Sequence, residues 1–246
     1  MGNISLQIWQ ILQQKHSEFL TRSPINTLLN TTNIVGYKET VQQINRMICN
    51  MLPVLDGKFL ISKSIDFIDS VQWNPSLSEP TFKTKTNLPT SVRLQPGARI
   101  MFLNNSLIEQ GICNGTTGII TDLDLENQFV RIAFSIRGSI IDINIYKQTQ
   151  YFQLYGNNCH RTQFPLQNSF AFTVHKTQSL TLPRVSLALD STIFSPGQAY
   201  VALSRCSTWD NVEISQLDPS AFKTDQEMVQ EYQRLHDFTQ TNPHNL

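Results

Sequence analysis

Ile4, Ile8, Ile11, Leu12 and Phe19 recur at helical spacing, predicting a core-packing helix that ends near Ser23-Pro24. Val41, Ile44 and Ile48 share one face of a second predicted helix, from about Glu39 to Met51, which Pro53 ends. From Leu88 the period shortens. Apolar runs at 97–103, from 118 and at 129–134 read as strands, and Ile141, Ile143 and Ile145 alternate with Asp142 and Asn144 as in a half-buried strand. Asn114-Gly115 suits a tight turn, and several short strands over about seventy residues suggest a small barrel. After Phe164-Pro165 the α/β texture returns, with apolar strands at 169–174, 184–189 and 211–215. Ser195-Pro-Gly-Gln198 reads as a helix start, with Ser195 as cap, Pro196 at the first position and Gln198 returning the capping bond. A last helix opens on a Thr224–Glu227 capping box and carries Met228, Tyr232 and Leu235 on one face, with a loose tail beyond Thr239.

The pattern is therefore one α/β domain interrupted by a β-rich one. It divides into a leading helix at 1–30, a discontinuous α/β lobe at 31–92 and 165–220, an inserted small barrel at 93–164, and a helix with tail at 221–246. With 246 residues, 40% of them hydrophobic, the chain can bury a packed core. Its 19 basic and 19 acidic residues cancel, and only 15% of residues are charged, which argues against a strong, purely electrostatic grip on nucleic acid. Cys49, Cys113, Cys159 and Cys206 form no CxxC pair, so neither a zinc ribbon nor a redox motif is written, and plain thiols with no metal site are expected. The N-terminus has no basic segment followed by a long apolar run, and no later stretch approaches a membrane span, so a soluble, intracellular protein is expected.

Chemistry concentrates in two segments. TVHKTQSLTL (173–182) follows an apolar strand directly, placing hydroxyls, a His and a Lys where open α/β sheets bind ligands. Such donors suit phosphate oxygens. GQAYVALSR (197–205) ends a short helix on an arginine. By spacing alone, His175 and Lys176 also fit an ordinary surface loop, and Arg205 fits a side chain that favours the negative end of a helix dipole.

Taken together, these two strings closely resemble motifs V and VI of superfamily-one DNA helicases of the petite integration frequency (Pif-type) family, which includes the helicase modules of Helitron transposons. LQPGARIMFLN (94–104) resembles the entry into that family's inserted barrel, and GICNGTTG (111–118) its "GLVNGTRG" stretch. RTQFPL (161–166) resembles the approach to motif V, and 33–45 more loosely the motif IV region. The resemblance runs from about residue 30 to 215 and is densest over 94–214.

It implies a RecA-like second motor lobe with an inserted SH-three-like barrel, taken from an ATP-dependent 5′-to-3′ DNA helicase. It assigns single-stranded DNA contact to Thr173, His175, Lys176, Thr177 and Gln178. Arg205 becomes an arginine finger toward the γ-phosphate, with Gln198 beside it in the nucleotide cleft. It also implies ATP and Mg²⁺, and a nucleus or mitochondrion in a eukaryote. Yet the sequence contains no GxxxxGK[ST] loop to cradle phosphates and no apolar strand ending in Asp-Glu. Leu187-Ala-Leu-Asp190 begins like one, but Ser191 follows. The first motor lobe must then be supplied in cis or in trans, and the chain is expected to be inactive alone. A stand-alone DNA- or protein-binding module and an inactive transposon-derived remnant remain as alternatives. Ser179 stands where the family has Gly, which puts the geometry of the motif V loop in question if that position needs positive φ.

Overall fold

The computed structural model describes residues 4–22, 28–82 and 84–241. The chain divides into two compact units, one formed by Met1–Gln43 with Ala171–Leu246 and the other by Ile44–Phe170. In the first, Thr32–Val35 (β1), Ala171–Thr173 (β13), Val185–Leu189 (β14) and Val212–Leu217 (β15) lie in the order β13-β1-β14-β15, all parallel. Every residue of β1, β13 and β14 is buried. Continuous apolar runs rather than alternation are what a parallel sheet covered on both faces requires. Ile34, Val185, Leu187, Leu189 and Ile214 share one core with Leu12, Val174, Ile193, Ala199 and Ala202. Each fully buried Leu, Ile or Val there contributes about 1.5–3 kcal/mol.

The leading helix, Leu6–Leu20 (α1), starts where the Ser5 hydroxyl accepts the Ile8 N–H. It is tied to β15 through His16 Nδ1, 3.0 Å from the Ile214 carbonyl, and through Arg22, 2.8 Å from Glu213. Of its predicted buried face only Leu12 is fully buried, while Ile8 and Ile11 stay exposed. A helix laid along an edge strand covers a narrower stripe than the sequence pattern suggests. The predicted end at Ser23-Pro24 lies outside the described residues.

The second helix, Lys38–Met51 (α2), buries Val41, Asn45, Ile48 and Cys49, and the boundary between the units falls within it. The C-terminal helix, Gln226–Thr241, is capped by Asp225, whose carboxylate accepts the Glu227 N–H at 2.9 Å, in place of the expected Thr224. Met228, Tyr232 and Leu235 are exposed on it. The helix continues past Thr239, and 242–246 of the expected loose tail lie outside the described residues.

The second unit is built from antiparallel strands: Leu60–Lys63 (β2), Ile65–Ile68 (β3), Val71–Trp73 (β4), Ser91–Leu94 (β5), Arg99–Phe102 (β6), Thr117–Asp124 (β7), Phe129–Ile136 (β8), Ser139–Tyr146 (β9), Gln148–Leu154 (β10), Asn157–Gln163 (β11) and Leu166–Asn168 (β12). They form a five-stranded sheet β12-β6-β7-β8-β9, a four-stranded sheet β10-β11-β3-β4 and the pair β2-β5. Ile141, Ile143 and Ile145 face inward on β9 as their alternation predicts, and Gly115 takes φ +98° in its turn. The expected small barrel is corrected: no ring of strands closes among the described residues. After β9 the chain enters a different sheet at Gln148 instead of pairing β9 back onto β12. The unit is also larger than the 93–164 segment read as an insert. β2 pairs with β5, and β3 pairs with β11, so residues from 60 onward join it.

A buried ion pair lies among the apolar side chains of this unit. Arg161 on β11 is 1% exposed, and its guanidinium grips the fully buried Asp66 of β3 through two bonds, Nε to Oδ1 at 2.8 Å and Nη2 to Oδ2 at 2.7 Å. Nη1 donates to the Leu88 carbonyl, and the Ser78 hydroxyl donates to Asp66. Burial works to raise the Asp66 carboxyl, but the Arg161 and Ser78 hydrogen bonds with the Arg161 charge outweigh it and hold the group below the usual carboxylate range. All four cysteines are free, and burial, opposed by the nearby Arg93, pushes the Cys49 thiol up to about 11. No helix among the described residues is long and apolar enough to cross a membrane.

Candidate functional site

The carboxyl edge of the parallel sheet gathers the predicted chemistry. β13 ends at Thr173 and passes into a 3-10 turn, Val174–Thr177, closed by the Thr177 hydroxyl donating to the Val174 carbonyl at 2.7 Å. The turn splits the five predicted DNA-contact residues into two groups. His175, Lys176 and Gln178 are exposed, whereas Thr173 and Thr177 are buried, and Thr177 closes the turn. Ser179 follows at φ +68°. The position does adopt the left-handed conformation that glycine favours, and this chain builds the same turn with a Cβ in place.

Arg205 lies just beyond the short helix Gln198–Leu203. Its half-buried guanidinium turns back onto this unit. Nε donates to Val201 O at 2.8 Å, Nη1 to Thr177 O at 3.0 Å and to Leu180 O at 3.3 Å, and Nη2 to the Ser204 hydroxyl at 2.8 Å. Four of its five N–H donors are thus engaged, one of them on the last carbonyl of the turn that carries His175 and Lys176 and another on Leu180 just after it.

The helix before it starts later than expected. Gly197 takes φ +76° as its cap, and Ser195 offers no side-chain cap. Gln198 does return the predicted bond: its buried Oε1 accepts N–H groups from Ser195 and Phe194, each at 3.0 Å. With Oε1 so occupied, Nε2 of Gln198 lies 3.4 Å from His175 Nε2. The structure thus joins Gln198 to His175 and Arg205 to Thr177.

Two residues at this edge escaped sequence reasoning. Tyr37 and Phe194 stack with ring centroids 6.1 Å apart at 21°, and His175 lies on Phe194 at 6.1 Å and 32°. The signal available was positional, since each aromatic follows a buried strand by two to five residues, after Val35 and after Leu189. Asp190, at the end of β14, accepts from the Thr192 N–H at 2.9 Å and from its hydroxyl, forming an ordinary turn.

No family model matches the chain. The ATP-dependent DNA helicase PIF1 of Danio rerio is 27% identical over 204 residues, covering 83% of this chain and 30% of that protein. The crystal structure of the Pif1 helicase from Candida albicans aligns over 95% of this chain and 55% of its own, with a TM-score of 0.78 at 20% identity. The Pif1 helicase from Bacteroides in complex with ADP-AlF3 and ssDNA aligns over 95% of this chain and 51% of its own, with a TM-score of 0.67 at 22% identity.

A parallel sheet with a strand–turn–helix site at its carboxyl edge, matched to these structures, gives the chain the α/β RecA-like fold seen in Pif1 helicases. Within that class the chain is a relative of the Pif1 ATP-dependent DNA helicases. It spans about a third of the length of the curated relative and about half of the solved chains, at 30%, 55% and 51%.

Proposed function

We propose that the chain forms the second motor lobe of a Pif1-type 5′-to-3′ DNA helicase, with its β-rich unit as the counterpart of that family's inserted SH-three-like module. In this reading the exposed His175, Lys176 and Gln178 hold a single strand by its backbone, and Arg205 serves the nucleotide. The observation that carries it is the guanidinium of Arg205 bonded to the carbonyl of Thr177, the last residue of the 3-10 turn, and to that of Leu180 just beyond it. An Arg205 that swings out to a γ-phosphate releases those carbonyls, and phosphate occupancy and the shape of the turn then become alternatives of one side chain. That supplies a mechanical link between nucleotide state and DNA grip.

The residues present fit one flank of a triphosphate and no more. Arg205 has one uncommitted N–H, Gln198 is turned inward on its own backbone partners, and Asp190 is engaged by Thr192, so none of these side chains is set to ligate Mg²⁺. ATP, when bound, supplies the phosphoryl-transfer step from a cradle on a first lobe, in cis or in trans. This chain contributes charge neutralisation to it, an effect of about 10³–10⁵ in rate in comparable nucleotidases.

The Bacteroides relative was solved with ADP-AlF3 and ssDNA, which supports proposing both kinds of ligand for this chain. The test joins this chain to a Pif1-type first lobe. DNA-stimulated ATP hydrolysis should appear only in the combination and vanish with Arg205→Ala. Hydrolysis indifferent to that change would overturn the finger assignment. The commitment of four Arg205 donors within its own unit favours one second reading, a binding module without turnover. That reading predicts strand binding and no hydrolysis in any combination.

A further inference from the structure

The aromatic row at the sheet edge is not used by the helicase reading, and its construction is specific. Gly36 passes so close to the β14 exit loop that a Cβ there would lie 2.1 Å from the Thr192 carbonyl oxygen. Asp190 fixes Thr192, Ile193 is buried in the core, and Gln198 accepts the Phe194 N–H. Tyr37 and Phe194 are therefore held side by side by backbone constraints on both strands, yet remain 45% and 50% exposed. His175, fixed by Gln198, extends the row toward Lys176 and Gln178. Rings of this size are normally driven inward, because each buries a large apolar area. A rigid, half-open stack beside exposed polar and basic side chains is instead what a flat π-face ligand requires. Stacking on such platforms is how proteins hold single strands without reading sequence.

We infer that Tyr37 and Phe194 form a stacking platform for one nucleobase of a single strand whose backbone crosses the His175–Gln178 turn. The inference rests on the DNA-contacting role proposed for that turn and adds base contact to it. With net charge zero, a π-face contact also supplies affinity that phosphate pairing alone would not.

The test measures fluorescence anisotropy of labelled oligothymidylate, and of an abasic strand of equal length, against the full chain at low salt. Phe194→Ala and Tyr37→Ala should weaken oligothymidylate binding about 5- to 100-fold. Both should bind the abasic strand as the unaltered chain does, and Tyr37→Phe should retain full affinity. Phe194→Leu, which keeps apolar volume without the ring, should behave as Phe194→Ala and guards against loss by misfolding. Unchanged oligothymidylate affinity in these variants, or an equal loss on the abasic strand, overturns the platform while leaving the turn's role intact. Failure of the unaltered chain to bind either strand overturns both.

Discussion

Ser179 shows how one side chain can keep a motif's shape at a cost. Its φ of +68° lies in the region where a Cβ crowds the following carbonyl, a penalty of about 1–2 kcal/mol that glycine avoids. Ser179→Gly should therefore raise stability by roughly 1 kcal/mol, read as a higher urea midpoint at unchanged m. A lower midpoint would mean that the serine hydroxyl contributes more than its backbone costs. Arg205 makes the complementary case. Removing a charged donor from carbonyls typically costs about 1.5–3 kcal/mol. Arg205→Ala should loosen the turn, seen as faster amide exchange at Gln178 and Leu180, whose N–H groups close it onto His175 and Thr177. The sequence located these residues because the motif strings are local. It could not show that Arg205 folds back, since that depends on carbonyl positions more than twenty residues away.

Elements were legible where burial follows hydrophobicity and opaque where it does not. The mostly apolar β14 and the alternating β9 were read directly. Strands β2 and β3 invert the rule: Ser62, Ser64 and Asp66 point inward while Ile61 and Ile65 stay exposed. Their inward partners, Gln163 on Ser62 and Arg161 on Asp66, lie about a hundred residues on, so no local pattern could announce them. The pair makes a sharp prediction. Asp66→Asn leaves a buried guanidinium without its counter-charge and should cost about 3–5 kcal/mol in urea unfolding. Because folding holds the Asp66 carboxyl low, its stabilisation is complete above the ordinary aspartate range near about 4 and is lost as pH falls through the lower folded value. The Asn variant should therefore show a flatter acid limb than the unaltered chain, and parallel limbs would refute the assignment. Gly36 is an element-scale constraint of another kind. Gly36→Ala forces β1 and the β14 exit apart and should destabilise by about 1–3 kcal/mol.

For the whole molecule, the balance of charge sets the character of any strand binding. Each cation-to-phosphate contact on a single strand contributes about 0.7 to the slope of log K against log salt. A surface of net charge zero, with Lys176 as the exposed cation on the turn, should give a shallow slope of about −1 to −3. Lys176→Ala should flatten it by roughly 0.7 and weaken binding equally for all sequences. Stacking on Tyr37 and Phe194 would persist at salt concentrations where the phosphate contacts have faded, leaving a residual affinity that the abasic strand lacks. ATP turnover is the other whole-molecule quantity. On the proposed reading the chain offers one flank of a triphosphate and lowers a barrier only after another surface has bound the phosphates, so the purified chain should hydrolyse no ATP with or without DNA. A steep salt slope, or one insensitive to Lys176, would place the strand elsewhere on the protein. DNA-stimulated hydrolysis by the chain alone would show that a complete phosphate site is built from residues other than these.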